Sequence, residues 1–179
     1  GSFSGAARKL MLSQSAVSQQ INLLEEEITK FLVKLSKRDI AENEKTILAS
    51  TFHVITDIER IGDHAKNIVE LATEKMEKNL KYTDDAIKEL NEIYNYTAKA
   101  LDIAISSYEN KDPEKAKTIE EVEASIDSAQ ERFRTEHIKR LYEDRCTAYT
   151  GAIFLDLISN FERIGDHSTN IAQSVIDNY

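Results

Sequence analysis

Residues 59–68 read ERIGDHAKNI, and residues 162–171 read ERIGDHSTNI. The first six residues of the two copies are identical, and the Asn-Ile pair returns after two positions that differ. Around both copies, apolar residues recur every three or four positions, which indicates amphipathic helices rather than strands. Two such helices, 103 positions apart, indicate an internal repeat and hence a chain of two similar halves.

The composition favours long helices with few connections. The 179 residues include only five glycines and one proline, and 41% are hydrophobic, which is enough to bury a core. Short links between long helices predict an antiparallel bundle. The five helices we predict span about 15–37, about 41–78, a segment that follows a Thr83 cap, a segment from Asp112-Pro113 to about 144, and about 147 to the C-terminus.

Charge and cysteine content exclude several classes of protein. The net charge is −9, which argues against general nucleic-acid binding, because a basic surface supplies most of the affinity there. The single Cys146 cannot form an intrachain disulfide, as is typical of a reducing compartment. No apolar run is long enough to predict a transmembrane helix.

On a helical wheel, each copy presents a row of oxygen-bearing side chains opposite its apolar face. The rows are Glu59, Asp63 and Asn67 in the first copy, and Glu162, Asp166 and Asn170 in the second. Oxygen ligands of this kind suit Mg²⁺, Ca²⁺, Mn²⁺ and iron. The residues alone leave an alternative open, a solvated or salt-bridged face, because acidic pairs at this spacing are common on helices. The apolar faces expected to point to the core comprise Ile58, Ile61, Ala65, Ile68, Val69 and Ala72 in the first copy, and Phe161, Ile164, Ile171 and Val175 in the second.

The acidic spacing occurs a third time on the predicted fourth helix, as Glu123 and Asp127. The matching place on the first helix keeps Glu25 but has Thr29 where a second carboxylate is expected. Gly62 and Gly165 recur within the copies, and each disfavours a helix by about 1 kcal/mol relative to alanine, which predicts close approach by a helix or a ligand. His64 and His167, turned about 100° from the motif aspartates, are second-choice ligands.

The repeated ERIGDxxxNI, with ExxxD one helix earlier, resembles the PhoU family of bacterial phosphate-transport regulators. Residues 136–172 resemble most closely the version attached to the cytoplasmic end of sodium–phosphate cotransporters. The resemblance implies an all-α antiparallel bundle of two pseudo-symmetric halves, each of three helices. Because we count five long helices, the first helix is expected to be truncated or replaced. The expected organisation is a tag or N-terminal extension at 1–14, an incomplete first half at 15–80 and a second half at 81–179.

In this family, ExxxD motifs hold multinuclear metal clusters on the protein surface. The resemblance therefore implies iron, manganese, zinc or magnesium ions, and a weaker or smaller cluster beside Thr29. The implied partner is a phosphate transporter or the chain's own membrane domain, with a homodimer also suggested, and the implied location is the cytoplasm, including the cytoplasmic side of an inner-membrane protein. The implied ligands are Glu59, Asp63, Glu123, Asp127, Glu162 and Asp166, with Asn67, Asn170 and Glu25 as additional candidates.

Residues 3–28, FSGAARKLMLSQSAVSQQINLLEEEI, resemble the helix-turn-helix of LysR-type transcription regulators. This segment is interpreted as a DNA-binding piece, a cloning junction or a chance likeness, and its basic residues before the glutamates are Arg8 and Lys9 alone. We expect a metal-binding regulator of phosphate uptake that contacts a transporter. The alternatives are a DNA-binding regulator and a metal-dependent phosphoesterase. We expect no enzyme, because no repeated His or Lys supplies a general base beside a metal.

Overall fold

The regular structure of the chain is helical, as predicted. A computed structural model describes the backbone of residues 3–38 and 41–179, and the side chains from residue 19 onward except those at 21, 39, 40 and 43. Within this part of the chain, no helix has the length and apolar character that a bilayer span needs. The helices are α1 (Phe3–Ser36), α2 (Glu42–Glu77), α3 (Asp84–Asn110), α4 (Pro113–Lys117), α5 (Ile119–Tyr142) and α6 (Ala148–Asn178).

Short polar side chains start three of these helices. The hydroxyl oxygen of Thr83 accepts a hydrogen bond from the Ala86 backbone N–H, and Thr147 accepts one from the N–H of Thr150. Asp112 accepts from the N–H of Lys115, with Pro113 as the first helical residue. These interactions satisfy N–H groups that have no partner inside the helix, and they confirm the predicted starts.

The predicted fourth helix is interrupted at Thr118. The Thr118 backbone N–H bonds to the Lys115 carbonyl at 3.1 Å, and the Thr118 hydroxyl donates to the same oxygen at 2.7 Å. The chain therefore closes a tight turn there, in place of the regular i to i−4 bond. The single helix predicted from 113 to 144 is corrected to α4 and α5.

The first helix begins at Phe3 rather than near residue 15, and it continues without interruption to Ser36. A helix-turn-helix needs a turn between two helices, and residues 3–28 contain none. The helix-turn-helix prediction for this segment is therefore wrong.

Helix α6 lies at the centre of the bundle. It packs against α2, α3, α4 and α5, whereas α1 packs against α2 alone among the described helices. The large core between α6 and its neighbours includes Ile93, Ile126, Phe133, Phe154 and Ile158, all nearly fully buried. A small separate core joins α1 to α2 through Leu32, Leu48 and Ile55. The second half therefore holds most of the buried apolar surface.

The apolar face of α2 is less covered than predicted. Ile58 is 47% exposed, and Ala65 and Ala72 are exposed as well. The matching residues of α6 for the two alanines, Ser168 and Val175, are fully buried. Helix α3 packs on α6, but no described helix occupies the equivalent position on α2. The core-facing assignment of Ile58, Ala65 and Ala72 is therefore corrected, because the first half lacks a third helix within the described residues.

A buried ion pair links α3 to α5. The Nη1 and Nη2 atoms of Arg140 each donate to one carboxylate oxygen of Glu89, both at 2.7 Å. The side chains are 5% and 12% exposed. A two-pronged contact of this kind fixes orientation as well as distance, so it sets how α5 lies on α3.

Candidate metal centre

Helices α2 and α6, which carry the two copies of the repeat, pack against each other. Every residue of the first copy therefore has a counterpart on the neighbouring helix. The two copies contribute to two sets of carboxylates. The first set is Glu59 and Asp63 of α2 with Glu25 of α1, and the second set is Glu162 and Asp166 of α6 with Glu123 and Asp127 of α5.

The second set of carboxylates converges. Asp127 on α5 and Glu162 and Asp166 on α6 each offer an oxygen, and these oxygens lie within 4.8 Å of one another. Glu123 lies one turn before Asp127 on α5. Burial is the main cause of its raised pKa, and the charges of Asp127 and Asp166 raise the pKa further. The packing of α5 on α6 thus brings together three of the six predicted ligands, with Glu123 one turn away on α5.

The electrostatics of this set are unfavourable for carboxylates without a cation. Burial is the largest effect raising the pKa of Glu162, and the Asp166 charge raises it further. Burial also raises the pKa of Asp166, with the Arg163 guanidinium acting against it. Repulsion between neighbouring carboxylates favours the neutral form, and a bound cation relieves that repulsion. Three oxygen donors at this separation fit a hard cation such as Mg²⁺ or Mn²⁺.

The motif arginines lie beside acids of their own helix. Arg163 Nε is 3.7 Å from a Glu162 oxygen, and Arg163 Nη1 is 3.7 Å from an Asp166 oxygen. Arg60 Nε is 3.9 Å from Glu59. Both arginines are largely exposed, so the acids keep most of their charge repulsion.

The first set of carboxylates is looser. Burial is the largest effect raising the pKa of Glu59, followed by the charges of Asp63 and Glu25. Glu25 on α1 is therefore near the Glu59 and Asp63 row of α2. Among the described side chains, these carboxylates do not converge as closely as the second set does. Thr29, one turn after Glu25 on α1, offers no carboxylate here.

The repeated histidines and asparagines contact the opposite copy. His167 Nδ1 donates to Asp57 Oδ1 at 2.8 Å, and the Asn170 amide donates to the same oxygen at 3.2 Å. In the reciprocal contact, His64 Nδ1 donates to Asn160 Oδ1 at 2.9 Å. The Asn67 amide also donates to this Asn160 oxygen, at 3.3 Å.

The two histidine rings stack on each other between these contacts, with centroids 5.7 Å apart and 24° between their planes. We call the set of Asp57, His64, Asn67, Asn160, His167 and Asn170 the interlock. It explains why the histidine and the asparagine recur in both copies. The amides of Asn67 and Asn170 are thus directed at the opposite helix, and their role as additional metal ligands stays a prediction.

Sequence reasoning missed Asp57 and Asn160. Each lies two residues before its copy of the decapeptide, at equivalent positions, but one is a carboxylate and the other an amide. Comparing the copies by the ability to accept a hydrogen bond, rather than by identity, extends the repeat to both residues. The longer motif begins with a hydrogen-bond acceptor. The decapeptide, which contains the donor histidine and asparagine, starts two residues later.

Gly165 makes the close approach that the sequence predicted. A Cβ atom built on Gly165 would lie 2.7 Å from Ile126 Cδ1 on α5. A side chain at this position would therefore force the Ile126 side chain, next to Asp127, to move. For Gly62, close approach stays a prediction.

His137 and Cys146 lie apart from the carboxylates. His137 is 3% exposed and stacks on Phe154, and burial is the main cause of its lowered pKa. Cys146 Sγ is 4.0 Å from His137 Nδ1. This histidine beside the thiol was not predicted, because the two residues are nine positions apart and a helix end lies between them.

A protein-family model described as the PhoU domain matches residues 7–72 and 90–175. The chain belongs to the PhoU family. The match begins at residue 7, so most of the segment that resembles LysR-type regulators lies within the PhoU match.

Several PhoU proteins are similar to this chain along most of its length. It is 30% identical to a phosphate-specific transport system accessory protein PhoU homolog of Xylella fastidiosa, over 96% of this chain and 68% of that protein. It is 24% identical to PhoU homolog 1 of Thermotoga maritima, over 95% and 71%. It is also 22% identical to the putative inorganic phosphate export protein YjbB of Escherichia coli, over 90% of this chain and 30% of that protein.

A crystal structure of PhoU from Pseudomonas aeruginosa has the same fold. The two superpose with a TM-score of 0.87 at 24% identity, over 94% of this chain and 80% of the other. The predicted PhoU-like bundle is therefore confirmed as the fold.

Proposed function

We propose that this PhoU-family chain is a metal-binding regulatory module that controls phosphate uptake by contacting a phosphate transporter. The observation that carries the metal part is the convergence of Asp127, Glu162 and Asp166 within 4.8 Å. Bound ions would neutralise these carboxylates and tie α5 to α6. Each bound ion would also offer open coordination positions at the surface, where an oxygen of phosphate or of a partner's carboxylate binds.

The donor set bears on which ion binds. Carboxylate oxygens suit magnesium, manganese and iron, whereas zinc sites usually include nitrogen or sulfur ligands. Magnesium, manganese or iron is therefore the preferred occupant, with zinc as the alternative. Glu59, Asp63 and Glu25 would form the weaker site, because Thr29 leaves it one carboxylate short.

The transporter part rests on the relatives. The similar proteins of Xylella and Thermotoga are named as accessory to a phosphate-specific transport system, and YjbB is named as a putative phosphate exporter. We therefore propose a cytoplasmic module that acts on a separate transporter or on a membrane domain of its own chain, including that of a sodium–phosphate cotransporter. A homodimer is part of this proposal.

Neither alternative gains support. The uninterrupted α1 offers no helix-turn-helix, and the net charge of −9 opposes binding to DNA phosphates. For an enzyme, a general base beside the metal is needed. The interlock engages Nδ1 of both motif histidines, and no lysine lies within either copy's ERIGDH.

Metal content tests the proposal first. Protein purified without chelator or metal-affinity resin is analysed by plasma mass spectrometry, beside a variant with Asp63→Asn, Asp127→Asn and Asp166→Asn. The control, Asp102→Asn, Asp144→Asn and Asp156→Asn, makes the same charge change at exposed positions elsewhere. We expect bound magnesium, manganese or iron in the wild type and the control, and its loss in the first variant. Equal, near-zero content in all three, unchanged after soaking in those ions, would refute metal binding.

Phosphate uptake tests the regulatory part. In a bacterium that lacks its own PhoU protein, the wild type and the control are expected to restore control of phosphate accumulation. The site variant is expected to fail while accumulating to the same protein level. If the site variant also restores control of phosphate accumulation, regulation does not require the bound metal.

A further inference from the structure

We propose that the interlock positions the two carboxylate sets relative to each other, with His64 and His167 as the positioning residues. The inference rests on the proposed metal binding only for its affinity measurement. The geometric part concerns how α2 lies on α6, and it is testable without any ion.

Each arm of the interlock joins the neighbourhoods of the two sets. His167 directly follows Asp166 on α6, and its hydrogen-bond partner Asp57 lies two residues before Glu59 on α2. The other arm repeats this arrangement in reverse, with His64 after Asp63. A shift of α2 along or around α6 must therefore break these contacts before it changes the separation of the carboxylate rows.

The two histidine contacts of the interlock are part-buried, whereas its donors Asn67 and Asn170 are exposed. The side chains of His167 and Asp57 are 20% and 13% exposed, so water competes weakly for their polar atoms. Each Oδ1 acceptor receives two donors, one from a histidine and one from an asparagine a turn further along the same helix. Four hydrogen bonds and one ring stack thus fix a single crossing point of two long helices.

The two arms differ in strength. The acceptor Asp57 is ionisable, whereas its counterpart Asn160 is neutral, and hydrogen bonds to a charged acceptor are roughly twice as strong as neutral ones. Loss of the His167 donor would leave the Asp57 oxygen with the Asn170 amide as its only hydrogen-bond partner among the described side chains. We therefore expect the His167 arm to control the geometry more than the His64 arm does.

Spin-label distances on the metal-free full chain test the positioning directly. Nitroxides are attached at Lys66→Cys on α2 and Gln173→Cys on α6, both exposed, with Cys146→Ser to leave no other thiol. His64→Phe with His167→Phe keeps two aromatic rings and removes both donors. His64→Asn with His167→Asn keeps a donor, because the asparagine Nδ2 is bonded to Cγ as the histidine Nδ1 is.

We expect a narrow distance distribution for the wild type and the asparagine variant, and a broad or shifted one for the phenylalanine variant. Circular dichroism checks that the helices persist. If the double phenylalanine variant fails to fold, His167→Phe alone breaks the stronger arm and gives the same test. An unchanged distribution in a folded phenylalanine variant would overturn the proposal.

Titration with Mn²⁺ on the same chains, without labels, gives the second measurement. Loss of residues that orient metal ligands typically weakens binding by about tenfold or more, and we expect such a loss in the phenylalanine variant and recovery in the asparagine variant. Equal Mn²⁺ affinity in all three chains would overturn the proposed effect of the interlock on the carboxylate sets. If the wild type binds no Mn²⁺, manganese binding fails, and the spin-label distances alone decide whether the interlock positions α2 on α6.

Discussion

Ile126 Cδ1 lies 2.7 Å from the place that a Cβ atom on Gly165 would occupy. Ile126 is 1% exposed, so its side chain has little room to move away from an added Cβ. We expect Gly165→Ala to lower the free energy of unfolding by up to about 2 kcal/mol, because an overpacking cost of about 1–3 kcal/mol exceeds the gain of about 1 kcal/mol in helix propensity. Urea denaturation measures this change.

A compensating substitution provides the control. Ile126→Val removes Cδ1 and alone is expected to cost about 0.5–1.5 kcal/mol. Combined with Gly165→Ala it should restore part of the loss, so that the two changes are not additive. Additive losses would mean that the clash with Cδ1 is not the cause.

The buried Arg140–Glu89 pair predicts a large effect of a single carboxylate. Glu89→Ala leaves the Arg140 charge buried without its partner, at a cost of about 3–5 kcal/mol. The matched control is Glu92→Ala, which breaks the exposed pair with Arg132 and should cost less than about 1 kcal/mol. Arg140→Met with Glu89→Leu should recover most of the stability, since no charge then remains buried. Similar losses for the two alanine variants would contradict this account.

The raised pKa values at the metal centre predict an unusual pH dependence for the metal-free protein. The pKa values of Glu59, Glu123, Glu162 and Asp166 are raised, chiefly by burial. The folded state therefore binds protons at these groups more tightly than the unfolded state does. Their contribution to stability rises as the pH falls from neutral through the raised values, and it is complete below the ordinary 4.5 of Glu and 3.8 of Asp.

Other groups act in the opposite direction, so a variant must isolate this contribution. The lowered pKa of buried His137 removes stability as the pH falls below its ordinary 6.5. We would compare urea denaturation of the wild type with Glu162→Gln plus Asp166→Asn, in chelator, across this range. The difference between the two should shrink towards low pH. A constant difference would show that these carboxylates do not carry raised pKa values.

Thr29 predicts a gain of function. Thr29→Asp places a carboxylate one turn after Glu25 on α1, near Glu59, and completes the ExxxD spacing. We expect additional bound Mn²⁺ by mass spectrometry, and without metal a loss of about 0.2–0.5 kcal/mol from like charges on one helix. Thr46→Asp, at an exposed position of α2 away from the carboxylates, should change neither the metal content nor its affinity. An unchanged metal content in the Thr29 variant would argue against a site there.

Features that depend on local chemistry were predictable from the sequence. The capping residues Thr83, Asp112 and Thr147 start their helices as expected, because a cap acts within three residues. The convergence of Asp127 with Glu162 and Asp166 followed from spacing once the family resemblance placed their helices side by side.

Features that depend on residues distant in the sequence were not predictable from it. Whether Ile58 is buried depends on whether a helix packs on that side of α2. The apolar periodicity predicts an apolar face of α2, but it does not predict whether another helix covers that face. The roles of Asp57 and Asn160 were not predicted, because their partners are about a hundred residues away in sequence and their side chains differ. The break at Thr118 arises from a hydroxyl that competes for one carbonyl, a balance that a helix-wide pattern does not resolve.

The crossed contacts of the interlock have an evolutionary consequence. After a duplication, each copy is ordinarily free to drift on its own. Here residue 57 of one copy is bonded to residue 167 of the other, and residue 160 to residue 64. A change in either copy is therefore selected against, or compensated, in its twin. The recurrence of the histidine and the asparagine in both copies is the result expected from that mutual constraint.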